Sequence, residues 1–124
     1  MAISYSIDQQ RGLVLSEFSD TIHVKDFFAY IRDLRHDQTF QPDFVGLYDW
    51  QQMDNLSIDY NDMVSITSEC PWGEKSYRAI VVSRPFMFGM SRMFQSMSDE
   101  VSGTIQIFHE ILDAEAWLDA VRKH

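Results

Sequence analysis

Hydrophobic and polar residues alternate strictly at the beginning of the chain. Ile3, Tyr5 and Ile7 are separated by single polar residues, which predicts a strand with one face in water. A polar segment ending at Gly12 then turns the chain, and the apolar run 13–18 predicts a second strand. Because the connection is short, the two strands are expected to pair antiparallel. The chain therefore opens with a predicted β-hairpin.

Four later segments carry apolar residues at helical spacing, which predicts four helices. Their apolar stripes are Val24, Phe27, Phe28, Ile31 and Leu34; Tyr60, Met63, Val64 and Thr67; Phe86, Met87, Met90, Met93, Phe94 and Met97; and Ala114, Trp117, Leu118 and Val121. Thr21 or His23 is expected to cap the first helix, and Ser57 the second, over about 58–68. The third is expected over about 86–98, and the last after Asp113.

Three further strands are predicted between these helices. The runs 44–48 and 77–82 are almost unbroken apolar stretches, which is typical of strands buried on both faces of a parallel sheet. Residues 104–108 alternate again, as an outer strand would. The predicted order is β-β-α-β-α-β-α-β-α, an α/β fold with a five-stranded, mostly parallel sheet, an antiparallel N-terminal strand and four helices. We expect residues 1–124 to form a single domain.

Composition limits the class of protein. The chain has 124 residues, a net charge of −9 and a single cysteine, Cys70. The negative charge argues against binding to nucleic acid, because that depends on Lys and Arg at phosphates. No apolar run is long enough for a membrane span, and the first residues do not look like a secretion signal. One cysteine excludes an internal disulfide, so we expect a cytoplasmic location.

The negative charge is concentrated in one stretch. Between His36 and Glu74 there is no Lys or Arg. This stretch is interpreted either as a solvated surface or as a docking face for a basic protein. The segment 54–62 lacks the glycine and the final glutamate of a calcium loop, and the histidines are scattered. We therefore expect neither a metal site nor a cofactor.

Polar residues follow several predicted strands, at the edge of the sheet where ligands of α/β proteins usually bind. Asp49, Arg84 and His109 are the candidates there for a hydrolase-like acid–base site. Ser83 and Arg84, at the start of the third helix, together with Arg92 further along it, are candidates for binding an anion. Because no catalytic motif accompanies these residues, the sequence favours a protein that is not an enzyme. At the start of the third helix, it favours an ordinary capped helix with surface arginines over an anion site.

Large apolar side chains provide a second group of candidates. The Met- and Phe-rich stripe of the third helix predicts packing on the sheet, or else a shallow apolar pocket for a small molecule or lipid. Phe88 lies opposite that stripe. Trp50 and Trp72 are expected in loops, where they either close over the core or act as binding anchors with Phe88. Burial of such residues between two copies would favour a homodimer.

Several local patterns together resemble a known family. They are the initial Met-Ala-Ile-Ser-Tyr, His23-Val-Lys-Asp-Phe27, Leu47-Tyr-Asp49, Ala79-Ile-Val-Val82, Phe88-Gly-Met-Ser-Arg-Met93 and Ala114-Glu-Ala-Trp-Leu118. With the element order, they resemble the SpoIIAA-like branch of the STAS superfamily (sulfate transporter and anti-sigma factor antagonist domains) over nearly the whole chain. Many members of this branch are small bacterial proteins without an assigned function.

The resemblance implies a cytoplasmic, non-catalytic module that binds an unidentified protein partner or regulates it. Relatives are phosphorylated at a serine in the sequence Asp-Ser-Ser-Gly after the third strand. Here the chain has Asp54-Asn-Leu-Ser57, without the flanking serine and glycine, so Ser57 is interpreted as a helix cap and not as a phosphorylation site. The alternative function is binding of a small molecule or lipid in an apolar pocket near the third helix.

Overall fold

The elements of the fold follow the predicted order. The computed structural model describes residues 2–98 and 103–122, except for the side chains of Phe86, Phe88, Met97 and Ser98. Within this part of the chain the elements are β1 (Ile3–Asp8), β2 (Leu13–His23), α1 (Val24–Arg35), β3 (Val45–Ser57), α2 (Tyr60–Glu69), β4 (Tyr77–Val81), α3 (Pro85–Ser98), β5 (Thr104–Phe108) and α4 (Ile111–Arg122). The predicted α/β fold is confirmed.

The strands form one mixed sheet in the described residues, in the spatial order β1-β2-β3-β4-β5. β1 pairs antiparallel with β2, and every other neighbouring pair is parallel. The hairpin connection is possible because Gly12 adopts a positive φ of 60° and its N–H donates to the Gln9 carbonyl over 3.3 Å. β1 and β5 are consequently the two edges of the sheet.

β2 and β3 are longer than the hydrophobic pattern predicts. The sequence predicts that they end near Phe18 and Tyr48, but they continue as a parallel pair to His23 and Ser57. Buried Ile22, Met53 and Leu56 hold this extension against the core. The sequence pattern does not indicate this extension, because two register shifts interrupt the pairing and break the simple alternation of apolar and polar residues.

The start of α2 also differs from the prediction. Ser57 is the last residue of β3, so the expectation that it caps α2 is wrong. The cap is Asp59, whose carboxylate accepts the N–H of Asp62 over 2.8 Å. In return, the Asp62 carboxylate accepts the N–H of Asp59 over 3.0 Å, which makes a reciprocal capping box. For α1, His23 is the capping position and its N–H donates to Asp26 over 2.8 Å.

The two faces of the sheet are covered unequally. On one face α1, α2 and α3 bury a large aromatic core, which includes Phe18, Phe27 and Phe94. On the other face a smaller cluster forms under α4, with Leu47, Ala79 and Leu118 as members. The larger core therefore supplies most of the buried apolar area and most of the hydrophobic stabilisation.

Trp50 and Trp72 both belong to the larger core. Trp50 is not in a loop: it lies on β3, is 1% exposed, and its ring centroid is 5.8 Å from that of Phe18. Trp72 does lie in a loop, but it is 3% exposed and packs edge-on against Phe40 at 5.1 Å. The interpretation of these tryptophans as exposed binding anchors is therefore wrong, because both rings are covered by other aromatic side chains.

Candidate functional site

The polar residues at the carboxyl ends of the strands include Asp49 and Arg84, and each has a described partner. The Asp49 carboxylate accepts the backbone N–H of Gln51 over 3.0 Å and lines a groove on the α4 side of the sheet. Arg84 instead forms an ion pair with Asp54, with 3.1 Å between Nη1 and Oδ1. His109 is exposed just after β5. Asp49 and Arg84 thus have different described partners, and the acid–base trio with His109 stays a prediction.

The candidate anion site at the start of α3 already contains a carboxylate. Asp54, on the β3 extension, provides the negative charge for Arg84. Ser83 is exposed beside it, and Arg92 is exposed about two helical turns further along α3. At about 1.5 Å of rise per residue, eight residues separate the backbones of the two arginines by about 12 Å, and their joint role in binding an anion stays a prediction.

The apolar stripe of α3 is partly core. Met87 and Phe94 are buried, and the Phe94 ring stacks on Phe27 with 5.8 Å between centroids. Met93 is exposed on the outside of the helix. The side chain of Phe88 lies outside the described residues, so its proposed surface role stays a prediction. Packing on the sheet accounts for the described buried members of this stripe.

A chain of polar side chains crosses the larger core, and no pattern in the sequence indicates it. The hydroxyls of Ser16 and Tyr30 are 2.6 Å apart, and Arg78 Nη1 donates to the Tyr48 hydroxyl over 3.2 Å. Burial raises the pKa of Tyr30 well above its ordinary value, and the neighbouring Tyr48 hydroxyl adds to that rise. Burial also raises the pKa of Tyr48, against the lowering effect of the Arg78 charge. Both phenols are therefore neutral at physiological pH.

Arg78 is fully buried in the middle of this core. Burial by itself disfavours its charge, but Cys70 and Tyr48 outweigh that effect and raise the pKa of Arg78 above its ordinary value. Its guanidinium carbon lies 5.3 Å from the Trp72 ring centroid, and its Nη1 contacts Cys70 Sγ at 3.5 Å. Arg78 lies in a strand whose sequence is almost entirely apolar. Only the fold shows that aromatic rings surround its charge.

The outer face of α2 presents apolar side chains to solvent. Tyr60 is 65% exposed and Val64 is 45% exposed. The sequence predicted that both would lie on the buried face with Met63 and Thr67, but the buried residues of α2 are Met63, Ile66 and Thr67. The capping box of Asp59 and Asp62 sets the helix so that Tyr60 and Val64 lie one turn apart on the outside.

A groove of about 330 Å³ runs between β1 and α1. Backbone and side chains of β1 form one wall, and Asp26, Ala29, Tyr30 and Asp33 of α1 form the other. On the β1 wall, the Tyr5 hydroxyl donates to the Asp37 carboxylate over 2.9 Å. Neither wall contributes a Lys or Arg to the residues that line the groove.

Two general properties bear on function. Among residues 2–98 and 103–122, no group of three or more His, Cys, Asp or Glu side chains is arranged to hold a metal ion. Across that same part of the chain, no helix has both the length and the apolar character needed to cross a membrane.

Comparison with known proteins identifies the fold. No family model and no curated protein matches the chain. Among solved structures, it is similar to an uncharacterised protein of the DUF3478 family with a SpoIIAA-like fold, from Shewanella loihica PV-4. The two share 18% sequence identity and a TM-score of 0.67, over 94% of each chain. The SpoIIAA-like fold implied by the sequence resemblance is thereby confirmed for this chain.

Proposed function

We propose that this chain is a non-catalytic module that acts by binding another protein, in an interaction or regulatory role in the cytoplasm. The observation that carries the proposal is the outer face of α2, where Tyr60 and Val64 are exposed side by side. Exposed aromatic side chains are enriched where proteins bind one another. This face is the first place on the molecule where we expect a partner.

The charge around the α2 face indicates what kind of protein it would bind. Asp59 and Asp62 lie at the N-terminal end of α2, beside Tyr60. At the C-terminal end, Arg35 donates to the Glu69 carbonyl and so partly neutralises that end. The acidic side of the face is therefore its N-terminal half, which suits an apolar contact flanked by Lys or Arg.

The polar groups at the sheet edge support a non-catalytic role. A general acid or base needs a side chain held within reach of a substrate atom. Arg84 is instead engaged by Asp54, and Asp49 is engaged by the backbone of its own strand. These contacts give the residues a structural use that requires no substrate.

Site-specific photocrosslinking in the source cells tests the proposal. A photoreactive phenylalanine analogue replaces Tyr60, and in a control it replaces Leu112, which is 76% exposed on α4 on the opposite side of the sheet. We expect a discrete adduct with one protein from position 60 and none from position 112. An absence of adducts at position 60, with the protein folded and abundant, would contradict the proposal.

A further inference from the structure

The free edge of β1 has backbone groups that no described strand uses. Among the described strands, β1 lies at the edge of the sheet and pairs with β2 alone. The Ser19 N–H donates to the Ala2 carbonyl over 2.9 Å, and these residues are opposite each other in the register that pairs Ile3 with Phe18. Since hydrogen-bonded pairs alternate in an antiparallel ladder, Ser4 and Ser6 also bond inward. The amides and carbonyls of Ile3, Tyr5 and Ile7 therefore point outward, away from the sheet.

This edge lacks the usual protection against an added strand. Natural edge strands are commonly blocked by proline, lysine or a bulge. Residues 3–7 contain no proline and no charged residue, and their pairing with β2 is free of register shifts. Six residues of regular strand are long enough to pair with an extended peptide.

The adjoining groove gives such a peptide a place for its side chains. The space of about 330 Å³ lies beside the edge and is lined largely by apolar groups, including Ile3, Ala29 and Tyr30. Alternate side chains of an added strand would point to the helical side of the sheet, into this groove. Pairing at a strand edge next to a helix is a general way of binding extended peptides.

Charge is segregated on the two sides of α1. Asp26 and Asp33 lie on the side next to β1, seven residues apart, which keeps them on one face of the helix. Just after the helix, Asp37 accepts the Tyr5 hydroxyl of β1. The basic residues lie on the side next to α2, where Lys25, Arg32 and Arg35 line a separate groove. An exposed ion pair, Arg32 with Asp33 at 3.5 Å, connects the two sides. The groove beside β1 therefore has an acidic wall.

We infer that the β1 edge and its acidic groove bind an extended segment of a partner protein that carries both apolar and basic residues at every second position, on the face turned toward the groove. The segment adds to the sheet as a strand beside β1, places apolar side chains over Ala29 and Tyr30, and directs Lys or Arg toward Asp33. The inference goes beyond the proposed function because it concerns a different surface from the outer face of α2.

Selection from a phage-displayed library of random peptides tests this inference. The bait is the whole protein, and a variant with Ile7→Pro is the counter-bait, because proline removes an outward N–H without breaking a bond to β2. We expect enriched peptides in which Lys or Arg lies two residues from an apolar residue, so that both side chains face the groove. Binding of a synthetic enriched peptide is expected to weaken about fivefold in Asp33→Asn, the size of a surface charge contact. Asp113→Asn, on α4, is the matched control and should bind normally.

Each outcome has a defined meaning. Enrichment of acidic peptides, equal binding by Ile7→Pro, or amide NMR shifts confined to α2 or α4 would overturn the inference. So would a native mass of two chains that returns to one chain in Ile7→Pro, because a second copy would then occupy the edge. Circular dichroism and thermal melting must show that Ile7→Pro and Asp33→Asn fold. A synthetic peptide with alternate N-methylated amides repeats the test without altering the protein, and it should not bind. A protein crosslinked from position 60 would keep the proposed function intact in all these cases.

Discussion

At the scale of single residues, packing is tight where β3 passes under Trp72. A Cβ atom at Gly46 would lie 2.7 Å from the Trp72 ring and 3.2 Å from the Arg78 side chain. Neither neighbour is free to move, because Trp72 packs against Phe40 and Arg78 is fully buried. Glycine is needed at this position for space and not for an unusual backbone conformation.

We expect Gly46→Ala to lower the free energy of unfolding by about 2 kcal/mol, as overpacking of a dense core does. Chemical denaturation measures the change, and a loss of Trp fluorescence anisotropy would report the displaced ring. Gly89→Ala is the control: a Cβ there meets no atom within 4 Å and the position lies within α3, so stability should stay equal or rise. Equal stability of Gly46→Ala and the parent protein would contradict this packing.

The pair of Tyr5 and Asp37 gives a second prediction at this scale. Partial burial, with the hydrogen bond and negative charge of Asp37, raises the pKa of Tyr5 from 10.0 to about 12. A phenol with a raised pKa contributes stability below its unfolded pKa, and that contribution is lost as the pH rises through the folded value. Stability should therefore fall between pH 10 and about pH 12.

The titration of Tyr5 can be followed by NMR of the ring carbon next to the hydroxyl. Replacing Asp37 by Asn should lower the pKa of Tyr5, since the charge that disfavours the phenolate is removed. Asp113→Asn, far from Tyr5 on α4, should leave it unchanged. A pKa of Tyr5 that stays at about 12 in Asp37→Asn would show that burial alone causes the rise.

At the scale of elements, the start of α2 shows which of two nearby polar residues caps the helix. Asp59 makes the capping hydrogen bonds, whereas Ser57 is exposed at the end of β3. We expect Asp59→Ala to lower the free energy of unfolding by about 1 kcal/mol, the usual effect of losing a cap. Ser57→Ala should change it much less. Denaturant titration of both variants measures this, and the reverse order would restore Ser57 as the cap.

The same region shows what the sequence determined and what it did not. Helical stripes such as that of α1 are set by local spacing, so the pattern predicted Phe27, Ile31 and Leu34 correctly as buried. The length of β3 depends on pairing with β2 across the chain, and that pairing is not local. Because Trp50 is carried on this longer strand, its burial was missed for the same reason.

Candidate site residues were harder to predict than the fold. The sequence correctly placed Arg84 near the start of α3, but its partner Asp54 lies on a part of β3 that was not recognised as strand. The buried position of Arg78 and the outward position of Tyr60 both depend on how helices pack on the sheet. Such properties arise from tertiary contacts, which spacing along one chain does not contain.

At the scale of the whole molecule, the unequal covering of the sheet predicts unequal stability. α1 buries four residues in the larger core, whereas α4 buries Ala114 and Leu118. Segments with less buried apolar area open more readily. We expect amide hydrogens of α4 to exchange at lower opening free energies than those of α1, as measured by hydrogen exchange with mass spectrometry. Equal protection of the two helices would contradict the expectation.

The two edges of the sheet also differ, and this limits how copies of the protein can associate. On β5, the Gln95 side chain from α3 donates to the Ile105 carbonyl and occupies a group that an incoming strand would need. The β1 edge has no such cover among the described residues. Growth of a fibre needs two open edges on every unit, so that each addition creates the next binding site. Because Gln95 occupies the Ile105 carbonyl, strand addition at β5 is less favourable than at β1, which works against repeated edge-to-edge addition of copies.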